Sequence, residues 1–344
     1  MSNYEFRMIE EIEQSPSVIE NLLKMYTNGK DIKLDHEMLQ SLREADDVIF
    51  LACGTSFHAS HIGVYLFRQM GKMSDIYIAS EWAYNPVIYG KKPVFILVSQ
   101  SGETADIIAC KKHLKGSVIA ITNSRGSTID KMADYIMPLD CGEEKAIAAT
   151  KSYVAQVAAI TLLVKAVKND NQVIKDLKQL KEAVTDVIAH QEICEQLSQL
   201  FVPAKDAFFL GRGIDYFAAL EASLKLKETC YIHSEAYPGG ELKHGPVALV
   251  QEGVVVVGFI SDDKTAELFR TNLDYTKEQN GSLVIISSEH LAKEGDSFVT
   301  KDVAYYLEPV VKVVVMQLVA YYTSKNKGIN VDNPRSLVKA VTVE

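Results

Sequence analysis

Short apolar runs alternate with stretches of helical period along most of the chain. In the first half the runs fall at 47–53, 76–79, 94–98, 117–122 and 134–139, with helices between them at about 57–70 and 105–114. Runs that are apolar without alternation predict strands buried on both faces, and strands alternating with helices predict a parallel sheet. A long apolar helix over 151–167 and a more polar one over 171–200 follow. The second half then repeats the first in outline. Ala207-Phe-Phe-Leu210-Gly-Arg-Gly213 parallels Val48-Ile-Phe-Leu51-Ala-Cys-Gly54. A helix at 215–231, a strand at 254–260, a helix at 265–279, strands at 282–287 and 302–307 and a helix at 310–326 complete it. Two helices are predicted in 1–45, and the tail from Gly328, interrupted by Pro334, is extended and pinned onto the body. The expected fold is α/β: an N-terminal helical segment (1–45), a first unit (46–170), a connecting helix (171–200), a second unit (201–326) and a tail (327–344).

Composition narrows the function. The 344 residues suit two α/β units better than one, and 47% hydrophobic residues suffice for two cores. The net charge of −9 and the absence of a basic stripe exclude nucleic acid as the expected partner. An anionic ligand must be held by local donors, because the overall field repels it. Five scattered cysteines with no CxxC argue against a disulfide framework or thiolate metal site and for a reducing, cytoplasmic setting. No signal-like start and no membrane-spanning run are seen.

Candidate chemistry gathers at strand ends. The run 94–98 ends in Ser99-Gln100-Ser101-Gly102-Glu103-Thr104 before a helix. Such a loop offers hydroxyls, backbone amides and a helix N-terminus, as a phosphate requires; the alternative is a polar turn whose Ser and Thr cap the helix. The corresponding strand of the second half ends in Ser261-Asp-Asp-Lys264, which favours a ligand role for the first loop. Cys53-Gly54-Thr55-Ser56 also follows a strand, and ligands of open α/β sheets sit outside the carboxyl ends of strands. Thr55 and Ser56 therefore join Ser99, Gln100, Ser101 and Thr104 as donors of a phosphate site without metal. Further on, Glu228 lies towards the end of the 215–231 helix, and a loop rich in Gly and Pro leads to His244. A Glu able to shuttle a proton between adjacent carbons and a His able to open a sugar ring could meet over one ligand; the alternative is a solvated Glu and a loop His. His58 and His61 lack a carboxylate in register and read as core or surface residues, and Trp82-Ala-Tyr84 reads as packing.

Cys53-Gly-Thr-Ser56, Ser99-Gln-Ser-Gly-Glu-Thr104, Ala149-Thr-Lys151, Leu224-Lys-Leu-Lys-Glu228, Glu235-Ala-Tyr, Glu241-Leu-Lys-His-Gly-Pro246 and the tail from Asp332 to Glu344 resemble the isomerase half of the glucosamine-6-phosphate synthases. That half is a pair of SIS (sugar isomerase) domains, of flavodoxin-like or Rossmann-like type. The resemblance implies that Ser99, Gln100, Ser101 and Thr104 hold a sugar phosphate, and that Thr55, Ser56 and Ala149 line the site. It implies Glu228 as the base between sugar carbons 1 and 2, with Lys225 beside it helping to set its charge state. His244 would assist ring opening, from a loop shared between the subunits of a homodimer, and Lys339 would approach the open-chain carbonyl. No cofactor is implied. Two departures stand out. The synthases carry an N-terminal glutaminase with a Cys nucleophile, and this chain reaches the isomerase-type helices at once, so it is not expected to make ammonia from glutamine. Ala149 stands where the synthases have a Ser that contacts sugar.

The activity expected is therefore that of a phosphosugar isomerase/deaminase, converting glucosamine 6-phosphate to fructose 6-phosphate and ammonia. Alternatives are a deglycase of fructosamine-type 6-phosphates, an aminotransferase/isomerase subunit with an external nitrogen source, and a non-catalytic sugar-phosphate sensor.

Overall fold

A computed structural model describes residues 5–88 and 90–343. Three helices come first: α1 (Arg7–Glu13), α2 (Ser15–Tyr26) and α3 (His36–Glu44). The sequence predicts two, and the break falls at Gln14. Pro16 has no amide hydrogen and its ring excludes a preceding helical turn, so it serves at the front of a new helix.

Then come β1 (Asp47–Ala52), α4 (Gly54–Gln69), β2 (Ser74–Ile78), α5 (Ala79–Trp82), β3 (Pro93–Ser99), α6 (Ala105–Ala109), β4 (Ser117–Thr122), α7 (Thr128–Met132) and β5 (Tyr135–Pro138). Helices α8 (Lys151–Val167), α9 (Gln172–Ala189) and α10 (Gln191–Phe201) follow. The chain continues with β6 (Asp206–Gly211), α11 (Asp215–Cys230), β7 (His233–Pro238), β8 (Val254–Ile260), α12 (Ala266–Glu278), β9 (Ser282–Ser288), β10 (Phe298–Thr300) and α13 (Glu308–Asn326). The predicted α/β fold is present, with several corrections. The polar helix over 171–200 is two helices, divided at His190, which leaves helical geometry at ψ 28°. The strand expected at 302–307 is instead β10. Its partner β9 ends at Ser288, opposite Thr300, so the chain beyond Thr300 has nothing to pair with. The helix expected to start near Phe57 already starts at Gly54. Strand β7 and helix α7 are additions. β7 pairs with β6 alone and carries polar residues, so it lacks the apolar signature of a buried strand. α7 spans five residues, too few to show a period.

The strands form two sheets, ordered β2-β1-β3-β4-β5 and β10-β9-β8-β6-β7. Every pairing is parallel. Renumbered within each half, both orders are 2-1-3-4-5, the doubly wound order whose switch point lies between strands 1 and 3. The chain divides into two compact units. The first comprises Ser15–Glu144, Lys151–Lys178 and the tail from Val338. The second comprises the chain up to Gln14, Lys145–Thr150 and Gln179–Leu337.

In the first unit β1 and β3 are buried along their whole length. Ile49, Leu51, Phe95, Leu97 and Trp82 form a core on one face of the sheet. Alternation sends Phe50 to the other face, where α4 and α8 lie. There the helices approach so closely that a Cβ on Gly63 would lie 2.3 Å from the Phe50 ring and 2.8 Å from Ile160. In the second unit Phe208, Leu210, Val254, Val256 and Phe269 make the corresponding core. Tyr84 departs from the expected packing role. It is exposed, while Trp82 is buried and donates to the Val87 carbonyl at 3.2 Å.

Gly63→Val should overpack the α4–α8 contact and lower stability by about 1–3 kcal/mol, measured by urea unfolding with the far-UV spectrum unchanged. A loss below about 0.5 kcal/mol would show that the helices part freely there.

Candidate functional site

In the first unit the serine loop leaves β3 at the switch point and enters α6. Ser99, buried, accepts the Gly102 amide at 3.0 Å and shares a hydrogen bond with the Thr104 hydroxyl at 2.9 Å. The Ser101 hydroxyl accepts the Glu103 amide at 3.2 Å. Gly102 has φ 67°, and a Cβ there would lie 2.1 Å from the Ser127 hydroxyl, so glycine is required for the turn. The loop is tied down from outside as well. The Gly102 carbonyl accepts Ile129 N–H at 3.0 Å, and the Glu103 carboxylate accepts Thr128 N–H at 2.8 Å. This corrects the sequence expectation in one respect. The amides of Gly102 and Glu103 are used inside the loop, and that of Ala105 donates to the Val341 carbonyl of the tail at 3.0 Å. The loop's chemistry therefore rests on hydroxyls more than on a helix N-terminus. A hydroxyl that accepts an amide keeps its own proton to donate.

Gly54 bends the backbone at φ 54°, placing Thr55 and Ser56 in the first turn of α4 rather than in a loop. Ser56 accepts the Gln156 side-chain amide at 2.8 Å. His61 lies against the Phe57 ring at 4.9 Å, and burial lowers its pKa to about 4, so it packs as a neutral ring.

The tail reaches the first unit through Lys339, whose ammonium lies 2.7 Å from the Glu144 carboxylate. Glu144 was not singled out from the sequence. Its side chain is fully buried and accepts Ser152 N–H at 3.1 Å and Ser152 Oγ–H at 2.8 Å. A carboxylate seven residues ahead of α8, whose first turn holds no acid of its own, is the signal that could have found it.

In the second unit α11 carries Glu221, Lys225 and Glu228 on one face, at i, i+4 and i+7. Lys225 is fully buried, 3.1 Å from Glu221 and 2.6 Å from Glu228, and it donates to the Ala149 carbonyl at 3.2 Å. Burial works against its charge, but Glu221 and then Glu228 outweigh that, raising its pKa above the usual lysine value. Glu221 has no exposure, whereas the Glu228 side chain keeps 21%. So one carboxylate anchors the lysine and the other faces outward. Glu221 is a second residue the sequence reading missed, although its spacing from Lys225 marks it. His244 lies exposed on a 3₁₀ turn, Glu241–His244, and no hydrogen bond or ion pair among the described residues joins it to Glu228. Within the second unit the structure thus joins Lys225 to Glu228 and to the Ala149 backbone, but not His244 to Glu228.

A SIS domain model matches residues 41–166 and 200–324, one match on each sheet. The chain belongs to the SIS domain family. Among curated SIS relatives, the glutamine–fructose-6-phosphate aminotransferase [isomerizing] of Staphylococcus aureus (strain COL) is 37% identical over 353 residues. That match covers 99% of this chain and 59% of the relative, so the chain spans a little over half the length of such proteins. Among solved structures, the C-terminal domain of glucosamine-fructose-6-phosphate aminotransferase from Francisella tularensis superposes with a TM-score of 0.89 at 29% identity. It covers 96% of this chain and 99% of that one. A glucosamine-6-phosphate deaminase from Thermotoga maritima shares the fold, with a TM-score of 0.78 at 21% identity over 97% of this chain and 99% of that one.

Lys225→Met removes the buried ammonium that Glu221 and Glu228 share and should cost about 3–5 kcal/mol in urea unfolding. Adding Glu221→Leu should recover most of the loss. A Lys225→Met loss under about 1 kcal/mol would mean that the buried pair is not what holds this part of α11.

Proposed function

We propose that this SIS protein is a phosphosugar isomerase that deaminates an amino-hexose 6-phosphate, converting glucosamine 6-phosphate to fructose 6-phosphate and ammonia. The observation that carries the proposal is the Glu221–Lys225–Glu228 array. Holding a lysine and a glutamate fully out of water costs stability, and buried charge of this kind is typical of sites that move protons. Unlike the buried Glu308–Lys312 pair, the array ends in a carboxylate that keeps 21% exposure, which suits a base that meets substrate and weighs against a sensor.

The roles are assigned as follows. Ser99, Ser101 and Thr104, with Gln100, hold the 6-phosphate by hydroxyl and amide donors, and Thr55, Ser56 and the backbone at Ala149 line the sugar. His244 takes the anomeric hydroxyl proton and returns it to the ring oxygen as the C1–O5 bond breaks, which opens the ring. Glu228 removes the proton from C2 of the open-chain aldehyde and returns it to C1. Carbon 1 becomes a hydroxymethyl group and the C2 amine becomes an imine, which water hydrolyses to the ketone and ammonia. Lys225 fixes the Glu228 carboxylate during the transfer. Lys339, held by Glu144, faces the negative charge that develops on the C1 oxygen. The same steps in reverse, supplied with ammonia, describe an isomerising aminotransferase, and the names of the curated relatives favour that direction as the second reading.

A homodimer belongs to the proposal, because an exposed His244 without a bond to Glu228 suits a histidine given to a neighbouring chain. No helix among the described residues is long and apolar enough to cross a membrane.

Incubation with glucosamine 6-phosphate should release ammonia and fructose 6-phosphate, and Glu228→Gln should lower kcat by about 10²–10⁴-fold. Binding of the sugar phosphate with neither product formed would overturn the enzyme reading. Ser101→Ala should raise KM about ten- to a hundredfold and leave kcat nearly unchanged, since a phosphate remote from the reacting carbons is bound alike in ground and transition states. A fall in kcat at constant KM would contradict the phosphate role. Mixing inactive Glu228→Gln and His244→Asn proteins should restore part of the activity; no recovery after verified subunit exchange would contradict a shared histidine.

A further inference from the structure

The common strand order lets the two loops be aligned by register. Leu51 pairs with Leu97 in the first sheet, and Leu210 pairs with Gly258 in the second. Leu51 and Leu210 hold equivalent places, each three residues ahead of a glycine of positive φ, 54° at Gly54 and 57° at Gly213. Counting on from these pairs sets Ser56 against Asp215, Ser99 against Ile260, Ser101 against Asp262 and Thr104 against Thr265. Both loops then end on an alanine that opens a helix, Ala105 in α6 and Ala266 in α12.

The second loop keeps the hydrogen-bond scheme of the first and changes its chemistry. Where the Ser101 hydroxyl accepts the amide two residues on, the Asp262 carboxylate accepts Lys264 N–H at 3.1 Å. Where Thr104 bonds to Ser99, Thr265 donates its hydroxyl to Asp262 at 3.1 Å. Ser261 gives its amide to Asp215 Oδ2 at 2.9 Å and its hydroxyl to Asp215 Oδ1. Asp215 and Ser261 are 1% and 3% exposed. A capping aspartate would turn its oxygens to the amides of its own helix. Both oxygens of Asp215 cross instead to the end of β8. Burial pushes the Asp215 carboxyl up to about 6, against the pull of Lys312. Lys312, itself fully buried, is held by Glu308 at the start of α13 and by Ser288 and Thr300, the last residues of β9 and β10. The carboxyl edge of the second sheet is thus furnished with donors whose anions come from the chain itself.

We propose that the second unit is a self-filled oxyanion cradle, in which Asp215 and Asp262 take the donors that hold a substrate phosphate in the first unit. Each chain then binds one sugar phosphate, and returning the two positions to their first-unit counterparts opens a second oxyanion site. The inference rests on the reading of Ser99–Thr104 as a phosphate cradle.

The test is titration with inorganic phosphate by calorimetry. The proteins are wild type, Asp215→Ser/Asp262→Ser, and each of these carrying Ser101→Ala/Thr104→Ala. Wild type should saturate at one phosphate per chain and the Asp-substituted protein at two, the added one surviving loss of the Ser101 and Thr104 hydroxyls. Wild type binding two phosphates overturns the proposal, as does a folded Asp215→Ser/Asp262→Ser protein that gains none. Wild type binding none while that variant binds one would sustain the self-filled cradle and sink the phosphate reading of the first loop. Should the double variant fail to fold, Asp215→Asn/Asp262→Ser decides. It keeps an acceptor for Ser261 and removes both charges, and it should gain a phosphate that wild type lacks; a folded Asp215→Asn/Asp262→Ser protein with the wild-type stoichiometry overturns the proposal.

Discussion

A parallel sheet covered on both faces ends in a row of amides and hydroxyls at its carboxyl edge, and these need partners. That constraint organises both units. Strands β1, β3 and β8 are buried throughout, so their terminal residues emerge from apolar surroundings into tight turns. An unpaired polar group in such a place is costly. In the first unit the need is met by hydroxyls that bond to one another and to the loop's own amides, a set able to turn towards a ligand. In the second it is met by two aspartates. The same architecture thus gives one edge lined by hydroxyls and one lined by carboxylates.

The proposed chemistry draws on a second constraint, the buried ammonium of Lys225. A lysine without exposure is tolerated because Glu221 lies at 3.1 Å and Glu228 at 2.6 Å. The first of these is locked inside and the second opens outward. A charge so placed cannot swing, so neither can the Glu228 carboxylate beside it. Proton transfer between neighbouring carbons of one substrate asks for that immobility, because a base displaced by an ångström loses much of its rate advantage. Glu144 gives Lys339 a comparable anchor at 2.7 Å in the first unit, although the tail around Lys339 has no regular structure of its own.

Much of this was legible in the sequence, and the failures have physical causes. The apolar runs at 94–98 and 254–260 lie within β3 and make up β8, because burial on both faces leaves a period-free apolar signature. The halves were seen to repeat, and the shared strand order bears this out. β7 escaped notice because an edge strand needs no apolar run, and the turn signals around Gly239 and Gly240 masked it. The 302–307 stretch looked like a strand because Val303 to Leu307 are apolar, yet they turn into the helix α13 instead. Glu144 and Glu221 were missed because a single acid in a helical or turn-forming stretch looks like a solvated residue. Their spacings, seven residues ahead of α8 and four ahead of Lys225, are visible in the sequence, but the burial that gives them their roles is tertiary. The serine loop was found from composition, but its amides proved to be largely engaged within the fold.

The central claim is that Glu228 moves a proton between carbons 1 and 2 of a hexose 6-phosphate. Incubating the protein with fructose 6-phosphate and an ammonium salt in deuterium oxide and following C1 by NMR tests it most directly. Deuterium entering C1 with wild-type protein, and failing to enter with folded Glu228→Gln, is the expected result. No exchange at C1 by wild-type protein saturated with the sugar phosphate, or undiminished exchange by Glu228→Gln, would contradict the claim.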